Sequence, residues 1–162
     1  MIILTNFDEC CALYTLDRPG PIEAGVMLKF LNRSNSEEDF SLGCKYFDEP
    51  LKETYGIPVY RDQIVEIIKN ITEVDYSEAE MIRRNIIKRM SKETQEAREQ
   101  FVNSVKLKDL ELTLREKLWD IIQSSAPYCL HKNYALGIVP AVPSHWLLFK
   151  YDMMWRYGRT YE

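Results

Sequence analysis

Residues 51–90 read LKETYGIPVYRDQIVEIIKNITEVDYSEAEMIRRNIIKRM and hold a turn, two helices and the densest cationic cluster of the chain. At the turn, Tyr55-Gly56-Ile57-Pro58, Gly56 can supply a positive φ and Pro58 forbids continuation of any preceding helix. From Tyr60, apolar residues recur at Ile64, Ile67, Ile68 and Ile71, which predicts a helix with one buried face. Ser77 is the expected cap of a second helix, with Glu80 at its third position. On that helix Ala79, Ile82, Ile86 and Met90 share a face. Glu80, Arg84 and Lys88 climb another at i, i+4 spacing, flanked by Arg83 and Arg89. Four cations on a helix anchored by its apolar face form a rigid place to receive phosphate. The same residues also suit a solvated face with Glu80 as ion-pair partner.

Working outward toward the N-terminus, Asn6 or Thr5 can cap a helix from Phe7 to about Leu16, with Asp8 and Glu9 at the positive end of its dipole. Arg18-Pro19-Gly20-Pro21 is a stiff corner, because each proline moves the residue before it out of the helical region. Pro21 then serves as the first residue of a helix reaching Asn32, with Val26, Met27, Phe30 and Leu31 as its apolar set. RSNSEED at 33–39 reads as a polar loop, and residues 48–54 read as a short helix. Beyond the central pair, a charged helix is expected from Lys92 to Val105. Another follows from Leu110 to Ser124, with Leu114, Leu118, Ile121 and Ile122 inward and Trp119 at the edge; Ser125-Ala126-Pro127 breaks it. The aromatic tail (Trp146, Phe149, Tyr151, Trp155, Tyr157) suggests a last helix after Pro140 and Pro143, as core, as a face for a larger assembly, or as a base-stacking surface. The class is all-α, an irregular multi-helix domain with little or no strand, and residues 1–162 read as one domain.

The net charge of −4 opposes general affinity for nucleic acid, so any polyanion site must be local and salt-sensitive. No apolar run is long enough for a membrane span, and the start MIILTNFDECC lacks the pattern of a signal peptide; a cytoplasmic location is expected. Cys10, Cys11, Cys44 and Cys129 form no CxxC pair and read as core thiols. His131 reads as a loop histidine, since no partner for general-base work is apparent.

Several blocks resemble the C-family replicative polymerases of bacteria, the DNA polymerase III alpha subunits. FDECCALYTLDRPGP, followed by Gly25, Phe30 and Arg33, is similar to that family's "FDDIIALVALYRPGP…G…F…R". LKETYGIPVYRDQ is similar to "LEETYGVIVYQEQ", EMIRR falls where the family has "ADLLRRAMGKK", and APYCLHKNY at 126–134 sits at its "AGYGFNKSH". The resemblance implies the end of the palm and the helical fingers, which close over an incoming deoxynucleoside triphosphate and primer–template DNA. It also implies phosphate contacts from Arg18, Arg83, Arg84, Lys88, Arg89 and Lys132. The palm carboxylates of two-metal chemistry belong upstream of these blocks, so Mg²⁺ is expected only with the palm, no cofactor with this chain alone, and no activity from it alone. Asp109 and Glu111 suit helix capping instead. Departures from the family pattern are Ile87, Pro127, Cys129, His131 and Tyr134, where bulk or a new side chain alters the contact surface. A non-enzymatic module that binds a replisome protein, or a second copy of itself, is the alternative.

Overall fold

A computed structural model describes residues 7–35, 40–88 and 91–138. Its contacts gather into two compact units: one takes the chain up to Phe40 and again from Leu130, and the other is Ser41–Cys129. The regular elements among the described residues are all helices, with no strand, as the sequence pattern predicts.

In the first unit, α1 (Phe7–Leu16) is buried almost all round, with Cys10, Cys11, Ala12, Leu13, Thr15 and Leu16 inaccessible. The Thr15 hydroxyl is satisfied inside the helix by donating to the Cys11 carbonyl at 2.9 Å. Arg18 is extended (φ −144°, ψ 154°), the conformation that a following proline imposes. The next helix therefore starts one proline earlier than expected: α2 (Pro19–Glu23) uses Pro19, not Pro21, in its first turn. Gly25 then turns the chain at φ 68° and splits the predicted single helix, so that α3 (Val26–Asn35) begins afresh. Met27, Phe30 and Leu31 are the buried face of α3, as the spacing predicts, whereas Val26 at its start is only half-buried. α3 packs on both α1 and α2, and α9 (Lys132–Ile138) packs on α1 through the buried Ala135.

The second unit is organised around α5 (Arg61–Thr72). Ile64, Ile67, Ile68 and Ile71 are all fully buried, and the helix packs against α4 (Lys45–Asp48), α6 (Tyr76–Ile87) and α7 (Ser91–Val102). The expected helix over 48–54 is instead the end of α4 followed by a separate 3-10 turn at Lys52–Thr54. Asp48 spends its carboxylate on the preceding loop, accepting from the backbone of Leu42 and Cys44 and from the Ser41 hydroxyl at 2.6 Å. Both Tyr55 (φ 54°) and Gly56 (φ 71°) are left-handed, so the turn uses two such residues where one was foreseen.

Gln63 fixes this turn to the helix. Its Oε1 accepts from the Val59 and Tyr60 amides, both at 3.0 Å, and its Nε2 donates to the Pro50 carbonyl and the Thr54 hydroxyl. Trp119 on α8 (Leu112–Ser125) lies in the core rather than at its edge, 5.4 Å from the Phe101 ring, because its bulk fills the space between α7 and α8. A 3-10 turn at Val105–Leu107 follows α7, and the Ser104 hydroxyl before it donates to the Ile71 carbonyl at the end of α5. All four cysteines are buried thiols outside any disulfide. No helix among the described residues is long and apolar enough to cross a membrane. The residues expected to cap α1, Met90, the 36–39 part of the polar loop and the tail with its aromatic residues and prolines all lie outside the described residues.

Candidate functional site

The cations of the central helix take up three different situations on α6. The helix starts two residues earlier than Ser77 would place it, with the Asp75 carboxylate accepting from the Glu78 amide at 2.8 Å. Ala79, Ile82 and Ile86 form the buried face. Arg83 stands next to that face, so its stem is buried and only 8% of its side chain is exposed. Arg84 is turned about 100° further round the helix, and 64% of its side chain is exposed.

Both arginines converge on Glu80, whose side chain is 14% exposed. Arg83 engages both carboxylate oxygens, from Nε at 2.7 Å and Nη2 at 2.8 Å. Arg84 donates only Nε, at 3.0 Å, to the same Oε1 that accepts from Arg83 Nη2. The hydrogen bonds from Arg83 are the largest cause of a Glu80 carboxyl held at about 2, below the ordinary 4.5 and against the opposing effect of burial. Glu80 in turn raises the Arg83 guanidinium. The Arg83 guanidinium is therefore occupied by the fold.

The Nη groups of Arg84 have no hydrogen-bond partner among the described residues. Arg84 lines an open groove together with Tyr76, Ser77, Glu80 and Met81. Lys88 follows one turn later on the same side, exposed at the C-terminal cap of α6, where its charge also suits the helix dipole. Arg89 lies outside the described residues. Among the described cations of α6, Arg84 and Lys88 are the exposed ones.

Arg18 and Lys132 belong to the first unit. Arg18 donates Nε to the Thr15 carbonyl at 2.8 Å, which closes the end of α1. It lines a cavity with Tyr14, Asp17, Leu130 and Tyr134, a grouping of chemistry that no spacing rule in the sequence announces. Lys132 opens α9 with its ammonium 4.0 Å from Asp8. His131 precedes it and accepts from the Asn133 amide through Nδ1, a capping role that fits the loop reading. Burial and the neighbouring Asp8 push the Cys11 thiol up to about 11, which leaves it a protonated core group. Among the described residues no three carboxylate, imidazole or thiol groups meet where an ion could be held.

A helical unit that offers an arginine–lysine pair above a buried arginine–carboxylate clamp is the arrangement these residues define. Residues 3–109 match the bacterial DNA polymerase III alpha subunit finger domain, and the chain belongs to that family. Over 131 residues it is 30% identical to the DNA polymerase III subunit alpha of Helicobacter pylori, covering 81% of this chain and 11% of that protein. The Thermus aquaticus subunit is 32% identical over 135 residues, covering 80% of this chain and 11% of the relative. For Escherichia coli K12 the identity is 26% over 154 residues, covering 92% and 13%. The chain thus spans little more than a tenth of the length of these relatives.

Proposed function

We propose that this chain is a polymerase fingers segment that receives the phosphates of an incoming deoxynucleoside triphosphate and of primer–template DNA. The observation that carries the reading is the exposed Arg84–Lys88 pair on a helix whose opposite face is locked in the core. Arginine and lysine bind phosphate through charge-assisted hydrogen bonds, and a preorganised helix adds no reorganisation at the moment of closure. Arg18 and Lys132 are proposed as further phosphate contacts of the first unit. Transfer chemistry and its metal ions are assigned to a palm outside this segment.

Fluorescence anisotropy of labelled primer–template DNA with the 162-residue chain tests this at low and moderate salt. Binding is expected at micromolar protein, falling with salt, and falling again in Arg84→Ala/Lys88→Ala. Binding that ignores both salt and the double substitution, or no binding at low salt, removes the proposal. The exposed Ile22 and Leu28 favour a second reading, in which the first unit meets a replisome protein or another copy of the chain. Sedimentation of the chain alone, and of Ile22→Asp/Leu28→Asp, tests the self-association form of it.

A further inference from the structure

We propose that Glu80 is a positioning residue for Arg84, holding its guanidinium so that the Nη edge faces ligand phosphate. The inference rests on the phosphate-binding reading above and goes further, assigning unequal roles to the two adjacent arginines. Arg83 is the structural member. It occupies both oxygens of the Glu80 carboxylate from a buried position and so prevents that carboxylate from rotating. Arg84 takes the one remaining acceptor direction on Oε1 through Nε. A guanidinium tethered at Nε keeps its two Nη groups free, and these are the fork that matches two phosphate oxygens. The side chain would otherwise surrender much of its rotamer freedom on binding.

The idea is opposed to simple charge counting. A carboxylate beside an anion site should repel the ligand, so its removal should tighten binding. Here its charge is already matched by buried Arg83, and what its removal takes away is the tether. Glu80→Gln separates the two views, because it removes the charge that strengthens all three hydrogen bonds and sets an N–H donor against one guanidinium N–H, which weakens the tether, whereas charge counting expects tighter binding.

The experiment is a double-mutant cycle on the full chain, read as the Kd for labelled primer–template DNA at low salt, with inorganic tripolyphosphate as competitor. Glu80→Gln is expected to weaken binding about three- to tenfold in the natural background and to have no effect in the Arg84→Ala background. A Glu80 that only supports the fold would weaken both backgrounds alike, and that result overturns the proposal. Tighter binding by Glu80→Gln overturns it as well. Should Arg84→Ala itself bind as tightly as the natural chain, the phosphate-binding reading fails and the positioning role falls with it; weakening in Arg84→Ala but not in Glu80→Gln sinks the positioning role alone. If Glu80→Gln unfolds, the same cycle is read with Glu80→Leu/Arg83→Met, which removes both buried charges together and leaves Arg84 untethered.

Discussion

Replacing Arg83 and replacing Arg84 by alanine should have very different consequences for stability, although the two residues are neighbours of one type. Arg83→Ala removes two short hydrogen bonds from a carboxylate that is 14% exposed, together with a buried stem. The depression of Glu80 from 4.5 to about 2 sets the scale. At about 1.4 kcal/mol per pH unit, the folded surroundings favour its ionised form by roughly 3 kcal/mol. Arg83 is the leading source of that preference, and removing one member of a largely buried pair strands the other. A loss of about 2–4 kcal/mol is therefore expected for Arg83→Ala. For Arg84→Ala the lost contact is exposed and single, and the expected loss is below about 0.5 kcal/mol. Equilibrium urea unfolding followed by far-ultraviolet circular dichroism measures both. Near-equal losses for the two substitutions would refute the division of roles. So would an Arg83→Met/Glu80→Gln double variant no more stable than Arg83→Ala, because pairing two neutral groups should relieve most of the stranded charge.

The same carboxylate makes stability depend on acid. Its folded value lies below the unfolded one, so its contribution is complete above about pH 4.5 and is lost as pH falls toward about 2, a trend that urea midpoints should show and that Arg83→Ala should flatten. Trp119→Ala opens a cavity beside Phe101 and should cost about 3–5 kcal/mol in urea unfolding. Gly25→Ala meets no atom within 4 Å but keeps a φ of 68°, so its cost of about 1 kcal/mol is conformational and should appear as a modest fall in Tm.

Much of the fold was legible because burial leaves a periodic trace. The isoleucine face of α5 follows directly from spacing, and the limits of α1 follow from the cap and the proline corner read at its two ends. The errors lie where two residues of one kind compete for one role. Pro19 and Pro21 can both begin a helix, and the extended Arg18 settles it in favour of the first. Asp75 and Ser77 can both cap α6; the choice falls on Asp75, whose partner three residues on is Glu78. Trp119 sits at the edge of its apolar stripe in projection, yet its ring is fully buried against Phe101. The site shows the same limit. Sequence places Arg83 and Arg84 together at Glu80, but which one turns inward depends on where Ile82 and Ile86 find their core.

Gln63 shows a different kind of specification. The apolar face beside it is defined by volume, and several combinations of aliphatic side chains could fill that space. Position 63 is defined by grammar: two acceptor directions toward Val59 and Tyr60, and two donor directions toward Pro50 and Thr54, at one fixed reach. Glutamate lacks the donors, asparagine is one carbon short, and methionine has the length without the polarity. In a library of variants this site should tolerate almost no replacement while its isoleucine neighbours accept many. A single amide thereby carries more sequence information than the larger residues it stands among.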